Sequence, residues 1–238
     1  LQGQEISIHA FLDGRSYCLM PTAQDHKRAL DGDRGPNTGG MGTYSPAPMA
    51  TGTILERVEV EILKPFLKGC AVEGIDFRGV LFPGLMLAPE GPKVLEFNAR
   101  FGDPETQVLL PRLDCDLLDV LEACVDGTLD PGFLRWKPDT SVCLIVASGG
   151  YPGAYQKGKP IGGLGEATCL PSVKVFHAGT RRDGDEIVTS GGRVLGVTAL
   201  GPNLAEARKR AYQAVEKIRF EGMFYRTDIG AKGLNWRS

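Results

Sequence analysis

The chain has 238 residues, of which 42% are hydrophobic and 24% charged, enough for one large domain or two modest domains with real cores. Its formal net charge is -2, whereas nucleic-acid-binding proteins carry a strong positive field, so we expect no nucleic-acid partner. No apolar run approaches the ~20 residues that span a bilayer, so we expect no membrane partner either.

The first elements predicted along the chain are two strands and a loop. Residues 6–12 have the pattern of a strand, Asp13-Gly14 is suited to a hairpin turn, and a second strand follows to about Leu19. Residues 31–42 contain too many glycines for regular structure. We therefore predict a long loop there.

A helix and two strands follow the loop. The apolar spacing predicts a helix from Thr53, a candidate N-cap, to about Val72. Pro65 should kink or divide that helix, because proline cannot donate a backbone hydrogen bond. Residues 79–87 and 93–98 then read as strands joined by a tight turn.

A change of composition marks a candidate domain boundary. Helical patterns at residues 104–113 and 116–125 are followed by a linker rich in proline and glycine at 126–138. We therefore predict one domain over residues 1–134 and a second over 135–238.

The second domain is predicted to mix strands with one long helix. Its strands are expected at residues 142–147, 173–177, 186–189 and 193–199. Asn203 is a good N-cap for a helix that should run to about Ile218, with Ala207, Ala211 and Val215 on one face. The fold class predicted for the whole chain is α+β.

The strand at the end of the first domain carries the most informative polar residues. Because side chains alternate along a strand, Leu95 and Phe97 should point into apolar packing. Glu96 and Asn98 should point together to the opposite face, about 7 Å apart, as a pair of hard oxygen ligands that suits Mg²⁺. Arg100, on that same face, could reach a phosphate. The spacing also fits a half-buried edge strand with solvated polar side chains.

A second candidate site combines residues 24–28 with the glycine-rich loop. Glycines let backbone N–H groups approach an anion closely, and Lys27, Arg28 and Arg34 add positive charge nearby. These features suit a sugar phosphate or nucleotide phosphate, although the loop lacks the P-loop pattern. A flexible surface loop is the alternative interpretation.

The remaining reactive side chains give no separate site. The three histidines are too far apart in sequence to indicate a metal, and we expect His9, on a strand, to be structural. The six cysteines have no metal-type spacing and predict reduced thiols in a cytoplasmic protein. No nucleophile–base pattern is evident, which agrees with phosphoryl transfer carried out by positioning.

Several runs of sequence carry a family resemblance. In the first half they are AQDHKR at residues 23–28, GPNTGGMGTYSP at 35–46 and RFGDPETQ at 100–107. In the second half they are GGYPG at 149–153, HAGT at 177–180, GGRVL at 191–195, FEG at 220–222 and YRTDIG at 225–230. Over essentially its whole length the chain resembles the glycinamide ribonucleotide synthetases, which are ATP-grasp phosphoribosylamine–glycine ligases. The first-half runs are specific to that family.

The resemblance implies an architecture for each predicted domain. Residues 1–134 would be the C-terminal lobe of an ATP-grasp domain, mainly an antiparallel sheet with flanking helices, and residues 135–238 a small α+β domain. The family is longer, with its N-terminal domain and ATP lid upstream of Leu1. We therefore expect this chain to carry the metal and acyl-phosphate half of the site and to be inactive alone.

The resemblance also assigns roles to the candidate residues. Glu96 and Asn98 would bind Mg²⁺ or Mn²⁺, and Arg100, Asp25 and Lys27 would be catalytic. The residues implied to hold nucleotide or substrate are Glu5, Asn37, Thr38, Gly39, Gly40 and Asp103.

Finer roles follow from the same resemblance. Glu5 would contact the nucleotide ribose, while Asp25 and the loop at 37–42 would position the amine or sugar substrate. Asp103 and Glu105 would either orient the catalytic arginine or cap the helix that follows.

The implied reaction joins glycine to 5-phosphoribosylamine through glycyl phosphate, with ATP as the phosphoryl donor. All implied partners are small molecules, and we expect a monomer or weak dimer. One alternative is a different ATP-grasp carboxylate–amine ligase. The other is an inactive fragment that binds nucleotide weakly or serves as an interaction module.

Overall fold

Residues 1–236 are described by a computed structural model, and their β-strands all pair in antiparallel fashion. In chain order these strands are β1 (Gln4–Ser7), β2 (Ala10–Asp13), β3 (Tyr17–Leu19), β4 (Gln24–Asp25), β5 (Arg28–Leu30), β6 (Arg34–Asn37), β7 (Gly42–Ser45), β8 (Arg78–Ala88), β9 (Gly91–Asn98), β10 (Thr140–Ser148), β11 (Val173–His177), β12 (Thr180–Asp183), β13 (Glu186–Thr189), β14 (Arg193–Gly201) and β15 (Met223–Phe224).

Helices flank these strands, which confirms the predicted α+β class. The α-helices are α1 (Gly52–Val58), α2 (Lys64–Val72), α3 (Thr106–Leu109), α4 (Leu117–Asp126), α5 (Leu164–Thr168), α6 (Leu204–Val215) and α7 (Ala231–Leu234). Within this described part of the chain, no helix has both the length and the apolar character needed to cross a membrane.

The strands form two main sheets. In the first, β8 is central, with β9 on one side, β1 and β2 in line on the other, and β3 beyond β2. The second has the order β11-β14-β10-β7-β4, with β15 beside the end of β10. Because β7 pairs with β10, strands from both sides of residue 134 share the second sheet. The domain boundary near residue 135 stays a prediction.

The strand predicted at residues 6–12 is interrupted once. β1 and β2 pair with β8 in the same register, with Ser7 opposite Gly84 and Ala10 opposite Leu81. The interruption lies opposite Pro83, which has no N–H to donate to the ladder. One predicted strand is therefore two short strands in line.

The glycine-rich segment is more regular than predicted. β6 lies within it and forms a hairpin with β5, which directly precedes it, so the prediction of a long loop from residue 31 is wrong. The turn between them contains Gly32 and Asp33, both with positive φ, at 69° and 53°. Outside the turn at residues 31–33, irregular backbone in this segment is confined to residues 38–41 before β7.

The helix predicted at residues 53–72 is divided, as Pro65 indicated. α1 and α2 are separated by a π-helical segment, Glu59–Leu63, and the proline is the second residue of α2. A widened turn accommodates a residue that lacks an N–H. Thr53 is not the N-cap; the helix begins at Gly52, and Thr51 occupies the capping position.

Two other helices begin with side-chain caps, and the sequence predicted the one at Asn203. Asp116 Oδ1 accepts a 2.9 Å hydrogen bond from Leu118 N, and Gly127, with φ of 72°, ends α4. Asn203 Oδ1 accepts a 3.0 Å hydrogen bond from Glu206 N at the start of α6.

The second half of the chain follows its predicted order of strands. β10, β11, β13 and β14 match the four expected strands, while β12 and β15 were not predicted. α6 ends at Val215, three residues early, but Ile218 is still buried with Ala207 and Ala211. That apolar face packs on β10 and β14 as part of the larger buried core.

Candidate active site

Glu96, Asn98 and Arg100 form a continuous row at the end of β9. Asn98 Nδ2 donates to Glu96 Oε1 at 3.1 Å, and Arg100 Nη2 donates to Asn98 Oδ1 at 3.2 Å. In the sheet, Glu96 lies opposite Gly84 and Asn98 opposite Phe82. The three side chains therefore lie on one face, as alternation predicted. Their binding of a metal or phosphate stays a prediction.

The apolar residues of β9 are less buried than predicted. Leu95 and Phe97 are 45% and 48% exposed, although the Phe97 ring lies 5.1 Å from that of Phe66. The β8–β9 register shifts between Gly84 and Leu85, which leaves Leu95 as the extra residue of a β-bulge. β9 is also an edge strand. The prediction that both side chains enter apolar packing is wrong for these reasons.

The ammonium group of Lys27 lies between two buried carboxylates. Its Nζ is 2.8 Å from Asp25 Oδ2 and 3.9 Å from Glu105 Oε1. Ser7 Oγ donates to the same Glu105 oxygen at 2.8 Å. Burial alone would lower the pKa of Lys27, but Asp25 and Glu105 outweigh burial and raise it. Lys27 is therefore held in its charged form.

Asp25 and Glu105 are kept in place by different contacts. Asp25 Oδ1 accepts hydrogen bonds from His26 N at 2.7 Å and Thr43 Oγ1 at 3.3 Å. Burial raises the pKa of Glu105, and so does the Asp25 carboxylate, while Lys27 opposes the rise. The three charged groups thus behave as one unit with a single negative charge in excess when all are ionised.

Two clefts share these groups. The larger, about 460 Å³, is lined by Glu5, Asp25, Lys27, Asn37 and Lys232 among others. The smaller, about 200 Å³, is also lined by Glu5, Asp25 and Lys27, together with Glu96. The structure thus brings four predicted site residues to the smaller cleft and places Asn37 in the larger one. Lys232, on α7, was not predicted.

The glycine-rich segment does not form the expected anion nest. Each backbone N–H of residues 38–41 has a partner within the chain at 2.8 to 3.1 Å. In order, the partners are Lys27 O, Tyr151 Oη, Thr38 Oγ1 and His26 O. These N–H groups are occupied, so they do not bind an anion as arranged. Substrate contacts by Asn37, Thr38, Gly39 and Gly40 stay predictions.

Asp103 contacts an arginine from the second half of the chain. Arg193 Nη2 donates to Asp103 Oδ2 at 3.1 Å, and Gln107 Nε2 donates to Asp103 Oδ1 at 2.9 Å. Arg100 instead donates to Phe101 O, at 2.9 Å, besides its bond to the asparagine of its own row. The expectation that Asp103 orients Arg100 is therefore corrected. Its role toward a nucleotide stays a prediction.

Glu105 does not cap the following helix either. α3 begins at Thr106 rather than residue 104 and continues as a 3₁₀ turn at Leu110–Arg112. Within the described residues, no side-chain hydrogen bond caps its first turn. The Glu105 carboxylate turns instead to Ser7 and Lys27.

The hairpin beside the larger cleft is anchored by a buried arginine. Arg226, 1% exposed, donates from Nη1 to Asp33 Oδ1 at 3.0 Å and from Nη2 to Asp228 Oδ2 at 2.7 Å. Lys232 Nζ lies 2.6 Å from Asp33 Oδ2. Because Asp33 is in the β5–β6 turn, these pairs hold the hairpin against the C-terminal segment.

Sequence reasoning missed Arg193, Arg226 and Lys232 as parts of the site. Arg193 is 90 residues from Asp103, and Arg226 is 193 residues from Asp33, so no local pattern links either pair. Arg193 and Arg226 do lie in two of the runs that carried the family resemblance. Those runs were the only available signal for them.

His9 and His26 are both buried in neutral form. Burial, reinforced by Arg100 and Lys27, lowers the pKa of His9 to about 3. Its Nε2 accepts a 3.2 Å hydrogen bond from Gly102 N, and its ring stacks 4.1 Å from Phe82. His9 is thus an interior packing residue, in keeping with the structural role expected of it.

The Glu96–Asn98 pair fits a divalent cation that is bound partly by protein oxygens and partly by phosphate oxygens. Among residues 1–236, no group of three or more His, Cys, Asp or Glu side chains could hold a metal on its own. A carboxylate that lines the smaller cleft, in contact with an amide, suits Mg²⁺, which binds one or two protein oxygens and completes its shell with phosphate and water. The residues present therefore fit the expected ion.

Comparisons with known proteins place the chain in a family. A family model described as the phosphoribosylglycinamide synthetase ATP-grasp (A) domain matches residues 1–106, and its C-domain counterpart matches residues 141–232. The chain is 52% identical over 236 residues to the phosphoribosylamine–glycine ligase of Synechocystis sp., covering 98% of this chain and 56% of that protein. It thus spans about half the length of the curated relatives it matches.

Solved structures agree with the fold. The crystal structure of phosphoribosylamine–glycine ligase from Thermotoga maritima is similar with a TM-score of 0.84 and 38% identity, covering 96% of this chain and 56% of that one. The L-amino acid ligase from Bacillus licheniformis is similar with a TM-score of 0.62 and 16% identity, and the match covers 92% of this chain and 54% of the ligase chain. At that identity the likeness shows the fold alone. The chain belongs to the phosphoribosylglycinamide synthetase family and has the ATP-grasp architecture that its sequence predicted.

Proposed function

We propose that this chain provides the metal and acyl-phosphate half of an active site that joins glycine to 5-phosphoribosylamine with ATP. The observation that carries the proposal is the row of Glu96, Asn98 and Arg100, whose glutamate lines a cleft that Lys27 also lines. This row combines hard oxygen ligands with a guanidinium, the groups that phosphoryl transfer requires. The family's name and its relatives supply the substrate identities.

In the first step a carboxylate oxygen of glycine attacks the γ-phosphorus of ATP. The bond from that phosphorus to the bridging oxygen breaks, and ADP leaves with the electron pair, giving glycyl phosphate. Glu96 and Asn98 would hold a divalent cation, which neutralises phosphate charge when bound. Arg100, which donates a hydrogen bond to Asn98, would balance negative charge on the acyl phosphate.

In the second step the amine nitrogen of 5-phosphoribosylamine attacks the acyl carbon of glycyl phosphate. The bond from carbon to the phosphate oxygen breaks, and phosphate leaves with the electron pair while the amine loses a proton to solvent or phosphate. Lys27, charged and held by Asp25, would bind an anionic group of either substrate by direct contact. Glu5, in both clefts, would contact the nucleotide ribose.

Turnover of ATP with glycine, 5-phosphoribosylamine and Mg²⁺ tests this proposal, followed by mass spectrometry of the product. We expect the chain alone to be inactive. We expect activity when the part of the Synechocystis relative that this chain does not match is fused in front of it. A fusion that folds but makes no glycinamide ribonucleotide would contradict the proposal. Activity of the chain alone would contradict the claim that it provides only half of the active site.

The two alternatives give different results in the same assay. A different ATP-grasp carboxylate–amine ligase would consume ATP with another carboxylate and ignore glycine. A binding fragment would retain nucleotide without turnover in either form. A location in the cytoplasm, and a monomer or weak dimer, complete the proposal; sedimentation of the fusion tests the latter.

A further inference from the structure

We propose that Arg193 is a positioning residue through which the second half of the chain holds the Asp25–Lys27 pair in place. The proposal rests on the function proposed above, because the pair matters only if the clefts bind substrates. Arg193 lies at the start of β14 in the second sheet. It does not line either cleft described above, so its action must pass through other residues.

The guanidinium of Arg193 joins two separate segments of the first half. Nη1 donates to Gly39 O at 2.7 Å and to Asp103 O at 2.8 Å. Nη2 donates to Asp103 Oδ2 at 3.1 Å, and the side chain is only 20% exposed. A planar guanidinium can make such a set of bonds at once, because its donors point in fixed directions.

Tyr151 holds the same segment through the other polar backbone group of Gly39. Its hydroxyl accepts a 3.1 Å hydrogen bond from Gly39 N, so both polar groups of Gly39 are bound to the second half of the chain. A Cβ at Gly39 would lie 3.0 Å from Arg193 Cζ. The close approach thus depends on glycine at this position.

Gly40 transmits the position of this segment to the cleft. Its φ is +113°, and a Cβ there would lie 2.6 Å from Asp25 Oδ2 and 2.5 Å from Pro104 Cδ. The backbone of Gly40 therefore covers the carboxylate oxygen that binds Lys27. Movement of residues 39–40 would expose that oxygen to water and weaken its hold on the ammonium group.

This arrangement differs from simple docking of two halves of the chain. Arg226 and Asp33 also join the two halves, but their contact lies at the turn of the β5–β6 hairpin. Loss of Arg193 should therefore change the backbone of residues 39–40 and the titration of Lys27. A contact that served docking alone would change only the stability.

The first test uses the chain as it stands. In Arg193→Gln and Tyr151→Phe we expect faster hydrogen exchange at the Gly39 and Gly40 amides and a lower pKa of Lys27, both followed by NMR. The matched control is Arg181→Gln, since Arg181 pairs only with Asp183 in the exposed β12–β13 hairpin among its described ion pairs. Unchanged exchange and an unchanged Lys27 titration in both variants would overturn the proposal.

The second test is kinetic and uses the fusion with the Synechocystis portion. In Arg193→Gln we expect kcat to fall between about 10-fold and 100-fold, the range that small misplacements of reacting groups can cause, with little change in KM for ATP. Arg193→Lys should restore part of kcat, because an ammonium can still donate to Gly39 O or Asp103. Arg181→Gln should retain full activity.

The outcomes separate this proposal from the proposed function. If the unsubstituted fusion folds but makes no product, the proposed function fails, while amide exchange and the Lys27 titration still decide the role of Arg193. If the fusion is active and Arg193→Gln keeps its kcat, the role of Arg193 is contradicted. An equal loss of activity in Arg181→Gln would also contradict it.

Discussion

The ammonium nitrogen of Lys27 lies 2.8 Å from a carboxylate oxygen of Asp25, a side chain that is 2% exposed. Glu105, 3.9 Å away, is equally enclosed. These carboxylates keep the lysine charged in spite of burial, and they fix it at the boundary of two clefts. A charged, immobile lysine can donate a direct hydrogen bond to an anionic group without reorganising first.

Replacing Asp25 should weaken that charge. In Asp25→Asn we expect the pKa of Lys27 to fall, because the substitution removes the strongest charge that raises it while burial persists. NMR titration of the lysine side chain measures the change. Asp185→Asn, in the exposed turn after β12, is the control and should leave the titration as it was. An unchanged Lys27 titration in Asp25→Asn would show that Asp25 does not hold the charge.

A methyl group at Gly40 should disturb the same pair. Gly40→Ala combines positive φ with a Cβ close to Asp25 and Pro104, so we expect a cost of about 1–3 kcal/mol in the free energy of unfolding. Gly69→Ala is the control: nothing lies within 4 Å of its Cβ, and alanine should stabilise the helix by up to ~1 kcal/mol. Urea unfolding measures both. Equal stability of the two variants would contradict the contact at Gly40.

Acid should destabilise the fold through its buried histidines. Burial, aided by Lys232 and Arg226, lowers the pKa of His26 to about 4. Between about pH 6.5 and pH 4 the unfolded chain therefore binds a proton that the folded chain does not, so stability falls as the pH falls. From pH 7 to pH 5 this histidine should contribute a loss of about 2 kcal/mol.

His26→Asn isolates this contribution, since the asparagine amide can still donate to Gly42 O as His26 Nδ1 does. The stability difference between pH 7 and pH 5, measured by urea unfolding, should shrink by about 2 kcal/mol in the variant. His9, whose pKa is lowered to about 3, should continue to contribute in the variant. A pH dependence identical to that of the unsubstituted chain would show that His26 is not buried in neutral form.

Glu96 should set the requirement for a divalent cation. In the fusion, Glu96→Gln keeps the shape of the side chain but removes a charged ligand. The Mg²⁺ concentration for half-maximal activity should therefore rise at least about 10-fold, since loss of an outer-shell partner alone can weaken metal binding by that factor. Glu73→Gln, at an exposed position after α2, is the control. An unchanged Mg²⁺ requirement would remove Glu96 from the proposed metal site.

Local signals in the sequence were sufficient for much of the fold. Asp116 and Asn203 bind backbone N–H groups next to them, so their caps could be predicted from a few residues. The bulge at Leu95 could not, because it depends on how β9 pairs with β8. Pro83 likewise acts on a strand about 75 residues earlier, by denying it one hydrogen bond.

The candidate site also has features that local sequence predicts and features that depend on distant contacts. The row from Glu96 to Arg100 follows from alternation along one strand. The β5–β6 hairpin was missed because glycine-rich composition indicates a loop, whereas Arg226 orders it from the far end of the chain. The partners of the N–H groups at residues 38–41 include Tyr151, which only the shared sheet brings near. Composition predicts which backbone could bind an anion, but tertiary contacts decide whether its donors are free.

The most direct measurement is a crystal structure of the fusion with a non-hydrolysable ATP analogue and Mn²⁺. The account predicts that oxygens of Glu96 and Asn98 ligate the ion, that Arg100 faces the γ-phosphate and that Lys27 lies beside the bound anion. A structure with nucleotide and ion in place, in which that row faces away from the phosphates, would contradict it.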